Sequence, residues 1–376
     1  MIKFSNRVTA VLVMAFMLTF MLFTALGGGR NDSRSENREP AHIPDSGASE
    51  LADGSFTEGL NNYIADHFAF RGKWVKLNAR LRAELGEGLV NGVYIAGDRL
   101  LDTEYSSEYS VGEIAKDINR YAENYGSAVY FVAVPTSAGV YGDELPEYLN
   151  GIRESSTITG LYEKLDPSVR KIDAYNVLKM LNDNYVYYRS DTRWTVYGAY
   201  CVYRTVIQKL GFLPTTYDKY TIEHASSDFR GNLCDRSQYT GVKPDILDFY
   251  KYQGGAEAVS CTGYYNDGTT VEKQIYDKSQ LSSGDMYNAY LGEEVPFLKI
   301  KTSASNERKL LVFKDSYADC FIPFLIQHYC EIDVVTPELV EGEASRFVDP
   351  SEYEQTLFLF GIENLTRSGI PASVNK

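Results

Sequence analysis

Ala128-Val129-Tyr130-Phe131-Val132-Ala133-Val134 runs without a charged residue and is closed by Pro135. A strand with one wet face alternates apolar with polar residues, whereas a strand covered on both faces does not. The run therefore predicts an interior strand of a parallel sheet. Working outward, residues 111–125 carry a helical apolar period, and a helix near Leu161, a short strand near Ile172, a helix over 174–182 and a long helix over 195–210 follow. Val93-Tyr94-Ile95 predicts a short strand turned at Gly97-Asp98. Near the C-terminus Lys309-Leu310-Leu311-Val312-Phe313 predicts a second buried strand, with a helix beginning near Ser316, a strand over 332–335 and a last strand over 356–360. Strands alternating with helices imply an α/β fold, a parallel sheet flanked by helices.

The alternation stops between about 212 and 308, where Tyr, Gly and Asp dominate and Asn266-Asp267-Gly268 and Ser283-Gly284 mark turns. This stretch is expected to be a β-rich inserted lobe. The chain has 376 residues, with 37 Lys and Arg against 51 Asp and Glu, a formal net charge of −14. A chain of this net charge offers no basic face globally, and no nucleic acid is expected as a partner. Thirty tyrosines are more than ordinary usage and suggest amphipathic rings at sugar-binding or wet surfaces, or simply a preferred surface aromatic. The five cysteines, Cys201, Cys234, Cys261, Cys320 and Cys330, have no C-x-x-C spacing. No metal or cofactor is expected, and disulfides are allowed but not required.

Residues 8–26 read VTAVLVMAFMLTFMLFTAL, uncharged, after Lys3 and Arg7 and before three glycines. About 20 apolar residues suffice to cross a bilayer, and a signal-peptide core is shorter. The expectation is a transmembrane signal anchor over 1–27, with cleavage after Ala25 or Gly27 as the alternative. Arg30, Arg34 and Arg38 dilute the charge asymmetry that sets orientation, but a short N-terminus before a long soluble part favours export. Residues 28–55 are polar and Gly, Ser and Pro-rich, a flexible stalk. Beyond it, Ile64, Phe68, Trp74, Leu77, Leu81 and Leu85 recur at helical steps with one irregularity at Phe70-Arg71.

Two stretches carry chemistry. Phe313-Lys314-Asp315-Ser316-Tyr317 places Ser316 where a buried strand gives way to the next element, the position at which α/β folds present reactive groups. An Asp or Ser there is also a plain helix cap. Tyr187-Tyr188-Arg189-Ser190-Asp191-Thr192-Arg193-Trp194-Thr195 lies on a loop entering the long helix. Here the chain resembles the DHHW proteins and the alginate O-acetyltransferase accessory proteins, a branch of the SGNH hydrolase superfamily. Further motifs carry the resemblance: Asp66-His67-Phe68-Ala69-Phe70-Arg71, Val134-Pro135-Thr136, Asp143-Glu144-Leu145-Pro146, Asp228-Phe229-Arg230-Gly231-Asn232-Leu233 and Val242-Lys243-Pro244-Asp245.

The resemblance implies an SGNH-like domain over 56–376 and a triad in which Asp191 and the catalytic Ser316 accept and transfer an acyl group. The position of the family's His is occupied by Arg193. A guanidinium is never a proton acceptor at working pH, so Arg193 cannot take the proton of Ser316. Of His42, His67, His224 and His328, only His224 is placed where it could swing over the site. His328 falls twelve residues along the helix expected from Ser316, roughly 18 Å away. Arg193 can instead pair with Asp191 or hold an anionic ligand. With it, Trp194, Thr136 and Asn364 are expected on the substrate-binding side. By resemblance the chain serves the O-acetylation of an exported polysaccharide beside a membrane-bound O-acyltransferase. It does so as a degenerate binding member or, alternatively, as an O-acetyltransferase or acetylesterase using Ser316 with a substitute base.

Overall fold

The computed structural model describes residues 2–26, 40–45, 47, 49–50, 53–104, 108–149 and 154–375. Most of the stretch expected as a stalk lies outside the described residues. The chain divides into two units: Met1–Glu87 with Asp235–Gly241, and Gly88–Cys234 with Val242–Lys376.

In the second unit, β1 (Leu89–Val90), β2 (Val93–Ala96) and β3 (Arg99–Asp102) form a three-stranded antiparallel sheet. The large sheet follows. β4 (Ala128–Val134) lies between β5 (Arg170–Lys171) and β13 (Gln355–Gly361), and β13 is followed by β11 (Lys309–Lys314) and β12 (Glu331–Val335), all parallel. Side chains of β4 alternate between two cores. Tyr130, Val132 and Val134 face the helix Val196–Lys209, while Val129, Phe131 and Ala133 face the helices Val111–Asn124 and Glu154–Lys164. That double burial explains the unbroken apolar run.

The stretch 212–308 supplies two different things. β6 (Tyr220–Phe229) and β7 (Asp245–Tyr252) pair as a separate antiparallel ribbon. β8 (Ala258–Tyr264), β9 (Thr270–Glu272) and β10 (Phe297–Thr302) instead extend the large sheet, β10 pairing antiparallel with β12. The large sheet thus has eight strands, five of them parallel, in the order β5-β4-β13-β11-β12-β10-β8-β9.

Two expectations are corrected. The helix expected from Ser316 is replaced by two 3₁₀ turns, Ser316–Ala318 and Ile322–Gln327. Pro323 is the second residue of the latter, and the residues between are buried on all sides, so there is no wet face to set an α-helical period. The tyrosines are also not chiefly a surface feature. Tyr121, Tyr130, Tyr188, Tyr203, Tyr287, Tyr290, Tyr317 and Tyr329 are among the largest fully buried side chains. Several buried phenols spend their hydroxyl inside, as Tyr290 on the Asp248 carbonyl at 2.7 Å and Tyr187 on the Pro135 carbonyl at 2.5 Å.

In the first unit the helix Ile2–Leu26 contains an apolar window, Arg7–Thr24, long enough to cross a membrane. The amphipathic stretch is two helices, Ser55–His67 and Arg71–Glu84, broken where Phe68 turns extended and Phe70 adopts φ 60°.

Thr195 starts the helix that covers one sheet face. Its hydroxyl accepts the Gly198 N–H at 3.1 Å and donates to the Tyr185 carbonyl at 2.7 Å. Gly198 is required there, because a Cβ would lie 2.2 Å from the Val186 carbonyl oxygen. Thr195→Ala should lower the unfolding free energy by about 1–2 kcal/mol. Chemical denaturation of the detergent-solubilised chain measures it, and an unchanged midpoint would contradict the cap.

Candidate functional site

The parallel strands end together: Thr136 follows β4, Asp315 and Ser316 follow β11, and Ile362 to Asn364 follow β13. The loop 187–195 is closed by a bridge between Tyr187 and Trp194. Within it the Asp191 carboxylate is saturated. Oδ1 accepts the Arg193 backbone N–H at 2.9 Å and Nε at 2.7 Å, and Oδ2 accepts Arg193 Nη2 at 2.7 Å and the Asn232 N–H at 3.1 Å. Both side chains are buried. Tyr287 lies under the guanidinium, 3.7 Å from ring centroid to Cζ, and Asp285 Oδ2 is 3.7 Å from Nη2. Burial pushes the Asp191 carboxyl up, but Arg193 and the N–H donors outweigh it and hold it below the usual range. Burial likewise opposes the Arg193 charge, and Asp191 more than restores it.

Three residues that the sequence reading did not single out build this loop. Asp245, buried, accepts the N–H groups of Arg189 and Ser190 at 2.9 Å each, the Ser190 hydroxyl and the Tyr185 hydroxyl. Asn232 accepts the Thr192 N–H and donates to its hydroxyl, each at 3.1 Å. Gly231 leaves room for Asp191, whose Oδ2 would lie 2.3 Å from a Cβ there. Their signal was present, since they belong to Arg230-Gly231-Asn232-Leu233 and Val242-Lys243-Pro244-Asp245, but neither motif names the loop it braces.

Ser316 is half-buried and opens a 3₁₀ turn. Among the described residues its hydroxyl makes no hydrogen bond to Asp191, Arg193 or a histidine. Its turn is nevertheless tied to the Asp191 loop. The Trp194 indole donates to the Tyr317 carbonyl at 2.8 Å, and the Tyr317 hydroxyl reaches the Thr192 carbonyl and Glu363 Oε1, each at 3.1 Å. Asp315 takes the Tyr317 N–H at 3.0 Å, the Gly361 N–H at 2.8 Å and the Asn364 amide at 2.7 Å. The remaining expected site residues are employed inside. Trp194 is fully buried and stacked on Phe321, the Thr136 hydroxyl donates to Glu154 at 2.5 Å, and Asn364 holds Asp315.

Three of the four histidines have partners outside this loop. His224 is exposed on β6 and lies 2.6 Å from Asp248. His328, which follows the second 3₁₀ turn, pairs with the Tyr203 hydroxyl at 2.7 Å and is held down to about 4 by burial. His67 binds the Tyr63 carbonyl at 2.9 Å.

Burial raises four carboxyls around this edge. Asp315 is pushed up to about 6, Asp319 beside Lys314 to about 7, Glu154 to about 7 and Glu363 to about 8, the last helped by the Asp102 and Glu154 charges. A folded state that holds protons the unfolded chain releases near pH 4 gains stability in acid and loses it as pH rises through 6–8. His328 acts oppositely, but its contribution is complete above about pH 6.5. The melting temperature of the detergent-solubilised chain should therefore fall from pH 6.5 to 8.5. Glu363→Gln should flatten that fall, and an equally steep profile in the variant would remove Glu363 as a contributor.

The fold is matched among solved structures. A DHHW family protein from Eubacterium siraeum DSM 15702 is 24% identical with a TM-score of 0.64, covering 76% of this chain and 94% of that one. Bacillus cereus PatB1 matches alone at 18% identity, TM-score 0.62, over 76% and 98% of the two chains. PatB1 with a sulfonyl adduct matches at 19% identity, TM-score 0.60, over 73% and 95%. Comparison with curated proteins gives no match. The DHHW family model covers residues 75–335, more than half of the sequence, with the Asp191 loop and Ser316 inside the match, and the chain belongs to the DHHW family.

Proposed function

We propose that this chain is a membrane-tethered, extracytoplasmic member of a cell-envelope polysaccharide O-acetylation system that binds glycan or a partner rather than performing acyl transfer. A membrane-bound O-acyltransferase is the partner that family resemblance suggests, and the exported polysaccharide is the ligand. The single observation that carries the reading is Arg193. It stands where the family's general base belongs, has no lone pair to offer Ser316, and commits Nε and Nη2 to Asp191 at 2.7 Å each. With both carboxylate oxygens filled, Asp191 has no capacity left to orient a substitute base. The apolar window Arg7–Thr24 supports the tether.

Hydrolysis of an aryl acetate tests the reading, and because PatB1 is known with a sulfonyl adduct, a sulfonyl fluoride is a suitable second probe. The unchanged chain should turn over the ester no faster than Ser316→Ala and should label slowly. Arg193→His, folded as judged by circular dichroism, should gain Ser316-dependent hydrolysis of about tenfold or more, since a positioned base commonly contributes about 10²–10⁴. Robust Ser316-dependent turnover by the unchanged protein would overturn the proposal in favour of an active acetyltransferase or acetylesterase.

A further inference from the structure

The helix Arg71–Glu84 presents its apolar stripe outward. Trp74, Leu77 and Leu81 are 43–47% exposed, Leu85 just beyond the end is 81% exposed, and Ala79 on the opposite side is buried. At 100° per residue these four outward side chains fall within an arc of about 80°. Arg71 and Arg82 flank one edge of the arc, and Lys73 and Arg80 flank the other. With Lys76, the helix carries five basic residues against Glu84, in a chain whose net charge is −14. Singly exposed apolar residues need no explanation, but a contiguous stripe rimmed by cations does.

Contacts with the N-terminal helix say what covers it. Phe20 stacks on Phe68 at 5.6 Å and lies 6.0 Å from the Trp74 ring, Phe23 lies 5.9 Å from Phe70, and the Ala69 N–H donates to the Thr24 hydroxyl at 3.2 Å. Thr24 ends the apolar window, and Phe20 is one turn, about 6 Å, inside it. If the window spans a bilayer, these contacts set Phe68 and Trp74 at its outer interface.

We infer that the helix Arg71–Glu84 lies on the outer membrane surface, its Trp74, Leu77, Leu81 and Leu85 stripe in the interfacial layer and its flanking Arg and Lys on anionic headgroups. The inference rests on the membrane anchor of the proposed function. Indole at headgroup depth and basic side chains reaching out from an apolar seat are the features of interfacial helices. The basic rim also matters locally, because the rest of so acidic a chain is repelled by anionic lipid.

The chain has two tryptophans, and Trp194 is fully buried, so Trp74 is a native reporter. The full chain is reconstituted into vesicles of phosphatidylcholine and phosphatidylglycerol, with and without lipids nitroxide-labelled near the headgroup. The expected result is loss of most Trp74 emission to the labelled lipid, little loss to aqueous iodide, and disappearance of the quenched component in Trp74→Phe. Lys73→Glu with Lys76→Glu should weaken lipid quenching and its dependence on phosphatidylglycerol. Iodide quenching of Trp74 without lipid quenching, in chain that resists alkaline extraction, overturns the inference while leaving the anchor intact. Protection from both quenchers, with cross-linked dimers, overturns it in favour of a second copy of the chain. Release of the chain by alkaline extraction overturns the anchor itself.

Discussion

Asp191 and Arg193 have both left water, and neither could do so alone. An isolated buried carboxylate or guanidinium costs several kcal/mol, and removing one partner of such a pair typically costs about 3–5 kcal/mol. Two parallel N–H bonds at 2.7 Å, with two backbone N–H groups completing the carboxylate, satisfy that constraint. The loop's form follows from it. Gly231 has no side chain because Asp191 fills the space, and Asn232 and Asp245 consume the remaining polar groups of residues 189–192. A histidine in place of Arg193 would offer Asp191 one N–H and keep a lone pair for a neighbour. The arginine gives Asp191 two of its five donors and has no lone pair to offer a neighbour, and the loop is braced by that pair.

The edge that presents Ser316 is braced by the same logic. Asp315 joins the turn after β11 to the turn after β13, and Glu154 fastens the turn after β4 through Thr136. Lys314, buried, lies 2.7 Å from both Glu294 and Asp319. Burial in such an edge raises the proton affinity of its acids, and at Glu363 the Asp102 and Glu154 charges add to the burial effect.

How far the sequence speaks for itself differs by element. The runs ending at Val134 and Phe313 were legible because a strand buried on both faces leaves an unbroken apolar signature, and β13 was legible for the same reason. The turns after Ser316 were not, because FIPFLI is apolar at every position and carries no period to separate α from 3₁₀. Tyrosines misled because a phenol hydroxyl that finds a partner inside makes the ring a core residue, and composition records the ring without the partner. The pairing of Arg193 with Asp191 was legible as one of two alternatives, since opposite charges two residues apart in a loop can meet. The clamp by Asp245 was not, because it joins residues far apart in sequence through a fold that no local pattern encodes.

A base is one requirement of acyl transfer at a serine, and oxyanion donors are another. A tetrahedral intermediate needs N–H donors aimed at its oxyanion, and one such donor commonly contributes about 10²–10³ in rate. Around Ser316 the Tyr317 N–H is taken by the Asp315 carboxylate at 3.0 Å, the Ala318 N–H by the Asp315 carbonyl at 3.1 Å, and the Gly361 N–H again by the carboxylate at 2.8 Å. The turn is 3₁₀ and three residues long, so it directs fewer N–H groups outward than the first turn of an α-helix. The Arg193 cation, already neutralised by Asp191, adds little field of its own. Three backbone donors near Ser316 are thus committed within the edge, as two guanidinium donors of Arg193 are to Asp191. Ser316 itself stays half-buried on that edge, at the start of the turn.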